Sequence, residues 1–149
     1  MEISYRIANI DDLELIAELS VLMCSGDNCG EHDENFLKEG LLNHEMALFL
    51  AFDRDKAVGF SHVYMRHEWV WTENEKGPFG YLETIYVRPD YRNQGIAKEL
   101  TVICESWSRE MSCVEFASSC DLDNESSVNF HLGVGFKELH RIIHFSKEL

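Results

Sequence analysis

The chain has 149 residues, 45 % of them hydrophobic, which suits one domain with one packed core over residues 1–149 and excludes a disordered chain. No apolar run approaches the ~20 residues of a membrane span, and the start Met1-Glu2-Ile3-Ser4-Tyr5-Arg6 has neither the basic nor the apolar part of a signal peptide. Thirteen basic residues against 27 acidic ones leave a net charge of −14, a field that repels nucleic acid and membrane lipid and attracts cations. Five cysteines at irregular spacings predict no disulfide framework and a reducing, cytoplasmic setting.

Ile3, Tyr5 and Ile7 alternate with polar residues and predict a strand. Asn9 or Asp11 can cap the helix that follows, where Leu13, Ile16, Ala17, Leu19 and Ser20 recur at helical spacing. Residues 23–33 read as a polar loop, and Phe36, Leu37, Leu41 and Leu42 as a short second helix. Met46 to Phe52 is a compact apolar strand, turned by Asp53-Arg54-Asp55-Lys56 into a hairpin partner from Ala57 to Met65. Residues 66–79 form an exposed loop, Tyr81 to Val87 a strand stopped by Pro89, and Gln94 to Met111 the longest helix. In that helix Ile96, Leu100, Ile103 and Trp107 make one apolar stripe. Val114 to Ser118 is a strand, Asn124 to Val134 a helix closed by Gly135, and Phe136 to Leu139 and Arg141 to Phe145 two last strands. The order βα(α)βββαβαββ predicts an α/β chain of the α+β type. Its central mixed sheet is mostly antiparallel and flanked by helices, with a parallel pair made by the crossover through the long helix.

The segment from Tyr81 to Ala97 carries the chemistry. It is a strand, a tight turn, a glycine and a helix start. Amides at a helix start have no partner inside the helix, and the helix dipole favours an anion in front of them. Arg92 adds a positive charge and Gly95 allows close approach of the backbone. Arg92, Asn93, Gln94, Gly95, Ile96 and Ala97 are therefore predicted to cradle a pyrophosphate, against the alternative, which one glycine and one arginine alone would favour, of a helix that merely starts after a turn. A dinucleotide fold would need several glycines in its first βα turn, and a Walker A loop would need Gly-Lys-Ser/Thr; neither is present.

Arg92-Asn93-Gln94-Gly95-Ile96-Ala97, with the preceding "YVRPDYR", resembles the Arg/Gln-x-x-Gly-x-Gly/Ala signature of the GNAT superfamily of N-acetyltransferases. Asn124, Ser127, His131, Gly135 and Phe136 are similar to the second cofactor motif of that family. "GYLETIYVRPDYRNQGIAKEL", "EFASSCDLDNESSVNFHLGVGFKE" and "RIIHFSKEL" further resemble the type I aminoglycoside 6′-N-acetyltransferases. The resemblance spans essentially the whole chain. It implies the GNAT fold, acetyl-CoA as donor, no metal, the 6′-amine of an aminoglycoside as acceptor, and a homodimer. The rival readings are transfer to another amine, such as a polyamine or a peptide N-terminus, and a non-catalytic protein that holds CoA or a cation.

The resemblance also implies residue roles. Glu83 becomes the general base or a substrate anchor, against the alternative of a structural salt bridge; partial burial would help a base. Backbone amides around Ile85, Tyr86 and Val87 would hold the thioester carbonyl, their side chains being core. His131 stands where most of the family has a Tyr that protonates the departing thiolate, so it would donate that proton, bond the cofactor or cover the pocket wall. Asn124 serves as helix N-cap and on the cofactor arm. Trp69 and Trp71 would stack on sugar rings, or else be buried in a solvated loop. The subgroup's acid after the fifth strand is replaced by Ser119, with Asp121 as the nearby substitute, and its Leu-Trp and Tyr-Val-Glu-Gly segments correspond to Leu22-Met23 and Trp69-Val70-Trp71-Thr72. Acidic residues Asp27, Glu31, Asp33, Glu34, Glu73 and Glu75 should flank the acceptor cleft. Cys24, Cys29 and His32 lack an evident fourth zinc ligand and read as polar loop.

Overall fold

The computed structural model describes residues 2–24 and 34–149. Strand β1 (Ile3–Ile7) leads through a short 3-10 turn (Ile10–Asp12) into α1 (Leu13–Met23). After α2 (Glu34–Leu42) come the strands β2 (Met46–Asp53), β3 (Lys56–Arg66) and β4 (Phe79–Val87). Then follow a 3-10 turn (Pro89–Tyr91), α3 (Ile96–Glu110), β5 (Glu115–Ser118) and α4 (Glu125–Gly133). The sheet runs in the order β1-β2-β3-β4-β5. The first three pairings are antiparallel and the pairing of β4 with β5, which α3 connects, is parallel, as the order of predicted elements requires.

Strand periodicity divides one apolar run between two helical layers. In β2, Ala47, Phe49 and Ala51 pack with Val58, Val63, Leu82 and Val87 against Ile96, Leu100 and Cys104 of α3. Leu48 and Leu50 turn the other way, joining Phe60 and Tyr86 under Ile16, Leu19 and Leu37 of α1 and α2. A sheet covered on both faces reads in sequence as continuous hydrophobicity, which is how Met46 to Phe52 reads. The fully buried side of α3 is Ile96, Leu100, Thr101, Cys104 and Ser108, whereas the predicted stripe members Ile103 and Trp107 are only partly buried. The small residues face inward because α3 lies close to the sheet. A Cβ on Gly80 would come within 2.1 Å of Ser108 Oγ. Burial pushes the Cys104 thiol up to about 12, leaving it an inert part of the core.

The last two predicted strands do not form. Residues 137–149 carry no regular structure and are exposed. Their alternation of apolar residues is strand-like, but a strand needs a partner, and β5 pairs only with β4 among the described residues. The cysteines need a correction too. Cys104, Cys113 and Cys120 are free, but Cys24 is disulfide-bonded.

The entry to α1 is set by charge. The Asn9 side chain accepts from the Asp11 amide and the Asp12 carboxylate accepts from the Asn9 amide, both at 2.9 Å, a reciprocal cap. Arg6 on β1 grips both oxygens of Asp12 at 2.7 Å. These bonds, Arg6 first, hold the Asp12 carboxyl below its ordinary value against the opposing effect of burial. A lowered native value means the interaction stabilises the fold at neutral pH and is lost as pH falls through that value. With Arg6 46 % exposed, its contribution should be on the order of 1 kcal/mol, below that of a buried charged bond. Denaturant titrations from pH 7 to 2 should show this loss below about pH 4 in the wild type, and Asp12→Asn should start lower and lack it.

Candidate active site

The parallel pairing of β4 with β5 lasts four residues, from Phe79 opposite Glu115 to Leu82 opposite Ser118. There β5 ends, while β4 runs on to Val87 against β3 alone. Residues 83–87 thus have a main-chain edge with no β5 partner, and a gap opens where β5 ends. A bulge sits at the same point: His62 pairs with Thr84 and Val63 with Leu82, so Glu83 has no residue opposite it on β3. Bulges re-aim side chains next to functional sites. Glu83 is exposed here, a correction to the expected partial burial, although its neighbours Leu82 and Thr84 are buried.

Hydroxyl groups surround the carboxylate. Tyr64 on β3 donates to Glu83 Oε2 at 3.3 Å, and its ring lies 5.6 Å from that of Tyr81. Burial first, and then the charge of Glu83, pushes the Tyr64 phenol up to about 12, so it remains a neutral donor. The Tyr81 hydroxyl meets Ser119 Oγ at 2.5 Å, and the Arg66 guanidinium lies 5.1 Å from the Tyr81 ring centroid. This wall therefore carries one acid, three hydroxyls and one cation. Asp121 is exposed and makes no hydrogen bond to this group; its carbonyl accepts from the Asn124 amide at 3.0 Å.

At the far end of β4 the residues predicted to cradle an anion form a turn on the strand. Arg92 Nε donates to the Val87 carbonyl at 3.0 Å, and Gln94 Nε2 reaches the Asp90 carbonyl at 3.2 Å. Asn93 and Gly95 both adopt positive φ, 59° and 82°, and alternating backbone of this kind turns successive amides toward one side. A Cβ on Gly95 would meet nothing within 4 Å, so open space lies in front of the helix start. Ile96 is buried and Ala97 half-buried, which leaves their amides rather than side chains to face an anion. Tyr86 and Val87 are likewise buried and Ile85 half-buried.

Asn124 caps α4, its side chain accepting from the Ser127 amide at 3.1 Å. One consequence is the placement of His131, whose Nε2 lies 2.8 Å from Ser118 Oγ and whose Nδ1 lies 2.7 Å from the Ser127 carbonyl. Ser118, which closes the β4–β5 pairing by donating to the Leu82 carbonyl at 2.9 Å, escapes sequence reasoning, as do Tyr64 and Tyr81. The available signal was the alternation on β3 and β4, which puts Tyr81 on the face of Glu83.

Trp69 and Trp71 stack on each other at 5.4 Å and are 46 % and 45 % exposed, so the alternative of buried tryptophans is corrected. Trp69 bonds within its own loop, to the Thr72 carbonyl. Glu115 at the start of β5 fastens that loop by accepting from the amides of Glu73 and Asn74. Glu34, Glu73 and Glu75 are exposed; Asp27, Cys29, Glu31, His32 and Asp33 lie outside the described residues.

Comparison with known proteins agrees with this geometry. Residues 13–136 match the model of the acetyltransferase (GNAT) family. The chain is 38 % identical to an aminoglycoside N(6′)-acetyltransferase type 1 of Acinetobacter genomosp. 13, over 80 % of this chain and 84 % of that protein. It is 32 % identical to one of Salmonella typhimurium over 79 % and 83 %. Among solved structures, AAC(6′)-Iy in complex with the bisubstrate analog CoA-S-monomethyl-acetylneamine is 29 % identical, with a TM-score of 0.87 and full coverage of both chains. The apo AAC(6′)-IG from Acinetobacter haemolyticus is 30 % identical, with a TM-score of 0.86 over 98 % and 99 %. With the five-stranded sheet, the parted strands and the glycine turn in place, the chain belongs to the GNAT family of acetyltransferases, on the branch that holds the type 1 aminoglycoside N(6′)-acetyltransferases.

Proposed function

We propose that this protein transfers the acetyl group of acetyl-CoA directly to the 6′-amine of an aminoglycoside within a ternary complex. The observation that carries the reading is the gap beyond Leu82 and Ser118, which brings Glu83, an unpaired strand edge and the anion cradle onto one strand-turn-helix unit. The bisubstrate analog held by the AAC(6′)-Iy relative joins CoA to an acetylated neamine, the same pair of substrates.

In this reading the pyrophosphate of acetyl-CoA lies against the amides of residues 92–97, with Arg92 close by and Asn124 on the cofactor arm. Main-chain amides around Ile85, Tyr86 and Val87 receive the thioester carbonyl and the charge that grows on it during attack. Glu83 accepts the proton that the acceptor ammonium loses, through a water, and Tyr64 orients the carboxylate. The amine nitrogen attacks the carbonyl carbon, the C–S bond breaks, and the sulfur is protonated from the His131 side. Trp69 and Trp71 offer their exposed faces to sugar rings, and Ser119 and Asp121 complete the acceptor wall. No metal has a role in these steps. The acidic chain disfavours nucleic acid and membrane surfaces as partners, no described helix is long and apolar enough to cross a membrane, and the donor places the reaction in the cytoplasm.

One observation favours a second acceptor class. Arg66 over Tyr81 and a hydroxyl at Ser119 make part of the wall less attractive to a polycation, which favours a smaller amine such as a polyamine or a peptide N-terminus. A homodimer is the assembly we infer. Ile142, Ile143 and Phe145 are 53 %, 73 % and 91 % exposed, α4 has no fully buried residue, and the outer edge of β5 has no partner among the described residues. A second copy would cover this apolar surface.

Three measurements test these readings. Release of free thiol from acetyl-CoA should be seen with aminoglycosides bearing a 6′-amine, with KM rising as salt screens the acidic surface. Turnover of small amines alone would replace the acceptor, and no turnover with any amine would leave a binding protein. Glu83→Gln should lower kcat/KM by ~10²-fold or more, the usual range for losing a general base; a loss confined to KM would make Glu83 a substrate anchor. The full chain should sediment as a dimer, and Phe145→Asp should shift it toward monomer without unfolding it.

A further inference from the structure

The hydrogen bonds around His131 carry a constraint of their own. The Ser127 carbonyl, 2.7 Å from Nδ1, can only accept, so Nδ1 bears a hydrogen, with Ser127 Oγ at 3.3 Å sharing it. Ser118 Oγ lies 2.8 Å from Nε2 and 2.9 Å from the Leu82 carbonyl. The carbonyl again can only accept, and a serine hydroxyl has a single proton to give. With a bare Nε2 that proton would have two acceptors, and one contact would set lone pair against lone pair. With a proton on Nε2 every contact is satisfied in one direction: Nε2–H to Ser118 Oγ, Ser118 O–H to the Leu82 carbonyl, Nδ1–H to the Ser127 carbonyl. The other groups against the ring are Phe130 and Phe136, with centroids at 5.5 and 5.1 Å; none of the four contacting residues is charged.

The position of the chain of bonds matters as much as its direction. Leu82 is the last residue of β4 paired with β5 and Ser118 its partner. The hydroxyl thus stands at the apex of the gap, beside Glu83, while the ring stands behind it on α4. In the acetyl-transfer reading, on which this inference rests, the sulfur of the donor leaves into that gap.

We propose that Ser118 is the proton relay between His131 and the departing thiolate. As the C–N bond forms and the C–S bond breaks, the electron pair of the C–S bond stays on sulfur. The Ser118 hydroxyl swings from the Leu82 carbonyl and gives its proton to that sulfur. Ser118 takes the Nε2 proton in return, leaving a neutral imidazole with Nδ1–H still on Ser127. The substrate ammonium loses two protons on becoming the amide; both pass through water toward Glu83 and solvent, and His131 regains one from solvent after the thiol leaves.

The test compares Ser118→Ala, Ser118→Thr and His131→Gln in the full chain, with the kcat–pH profile for thiol release as readout. Loss of an acid catalyst usually costs 10²–10⁴-fold, so Ser118→Ala should lower kcat by roughly 10²-fold with KM for acetyl-CoA within about twofold. Its kcat–pH profile should also lack the alkaline decline of the wild type. Ser118→Thr keeps the hydroxyl and should recover both the rate and the decline. His131→Gln should lose the same decline, and the Ser118→Ala/His131→Gln double variant should be no slower than the worse single one, as for groups acting as one unit. A merely structural serine would lower Tm and the active fraction and leave the decline in place. That result, multiplying single effects, or an unchanged kcat in Ser118→Ala overturns the relay. A wild type that releases no thiol with any amine overturns the acetyl-transfer reading, and the relay with it.

Discussion

The structure depends on one interruption: β4 and β5 pair for four residues and then part. An unpaired strand edge in a sheet interior leaves main-chain donors and acceptors that must find partners elsewhere. Three local features make the interruption stable. Ser118 donates a side-chain hydrogen bond to the Leu82 carbonyl at the point where the ladder ends. The bulge at Glu83 shifts the register of β4 against β3. Gly80, with Ser108 pressed against it, draws α3 tightly under the paired half. Beyond that point β4 has no β5 partner, and the strand continues through the turn after Val87 into α3.

Charge is placed with similar economy. The chain carries −14 overall, yet the wall around Glu83 holds a single carboxylate set among the hydroxyls of Tyr64, Tyr81 and Ser119. Tyr64 does two things there: it bonds Glu83 and, being half-buried beside it, stays protonated. The net charge acts over distance and is screened by salt, whereas the hydrogen bonds of the wall act locally. Arg66 over the Tyr81 ring is the local feature that opposes the field.

The C-terminal quarter is built differently from the rest. The sheet from β1 to β4 is covered by α1 and α2 on one face and by α3 on the other, with a buried apolar cluster on each face. α4 is amphipathic only in a weak sense and is held by its Asn124 cap and by the aromatic contacts of His131 and Phe136. Residues 137–149 present apolar side chains to solvent. These residues pair with no strand among the described residues, although the outer edge of β5 has no partner there either.

Much of this was determined by the sequence alone. The alternation in Ile3 to Ile7, the apolar run of Met46 to Phe52 and the helical stripe after Gly95 are local periodicities, and local periodicity follows from backbone geometry that any context shares. The strand-turn-helix junction at Gly95 was legible for the same reason, since its residues lie within a few positions of one another. What only the tertiary structure decided are meetings between distant residues. Ser118 with His131, Tyr64 with Glu83 and Tyr81 with Ser119 are separated by 13, 19 and 38 positions, and no spacing rule links them. Cys104 and Ser108 turn inward in α3 because Gly80 lets the helix approach, and the two last predicted strands failed because strand propensity is completed by an edge outside the segment itself.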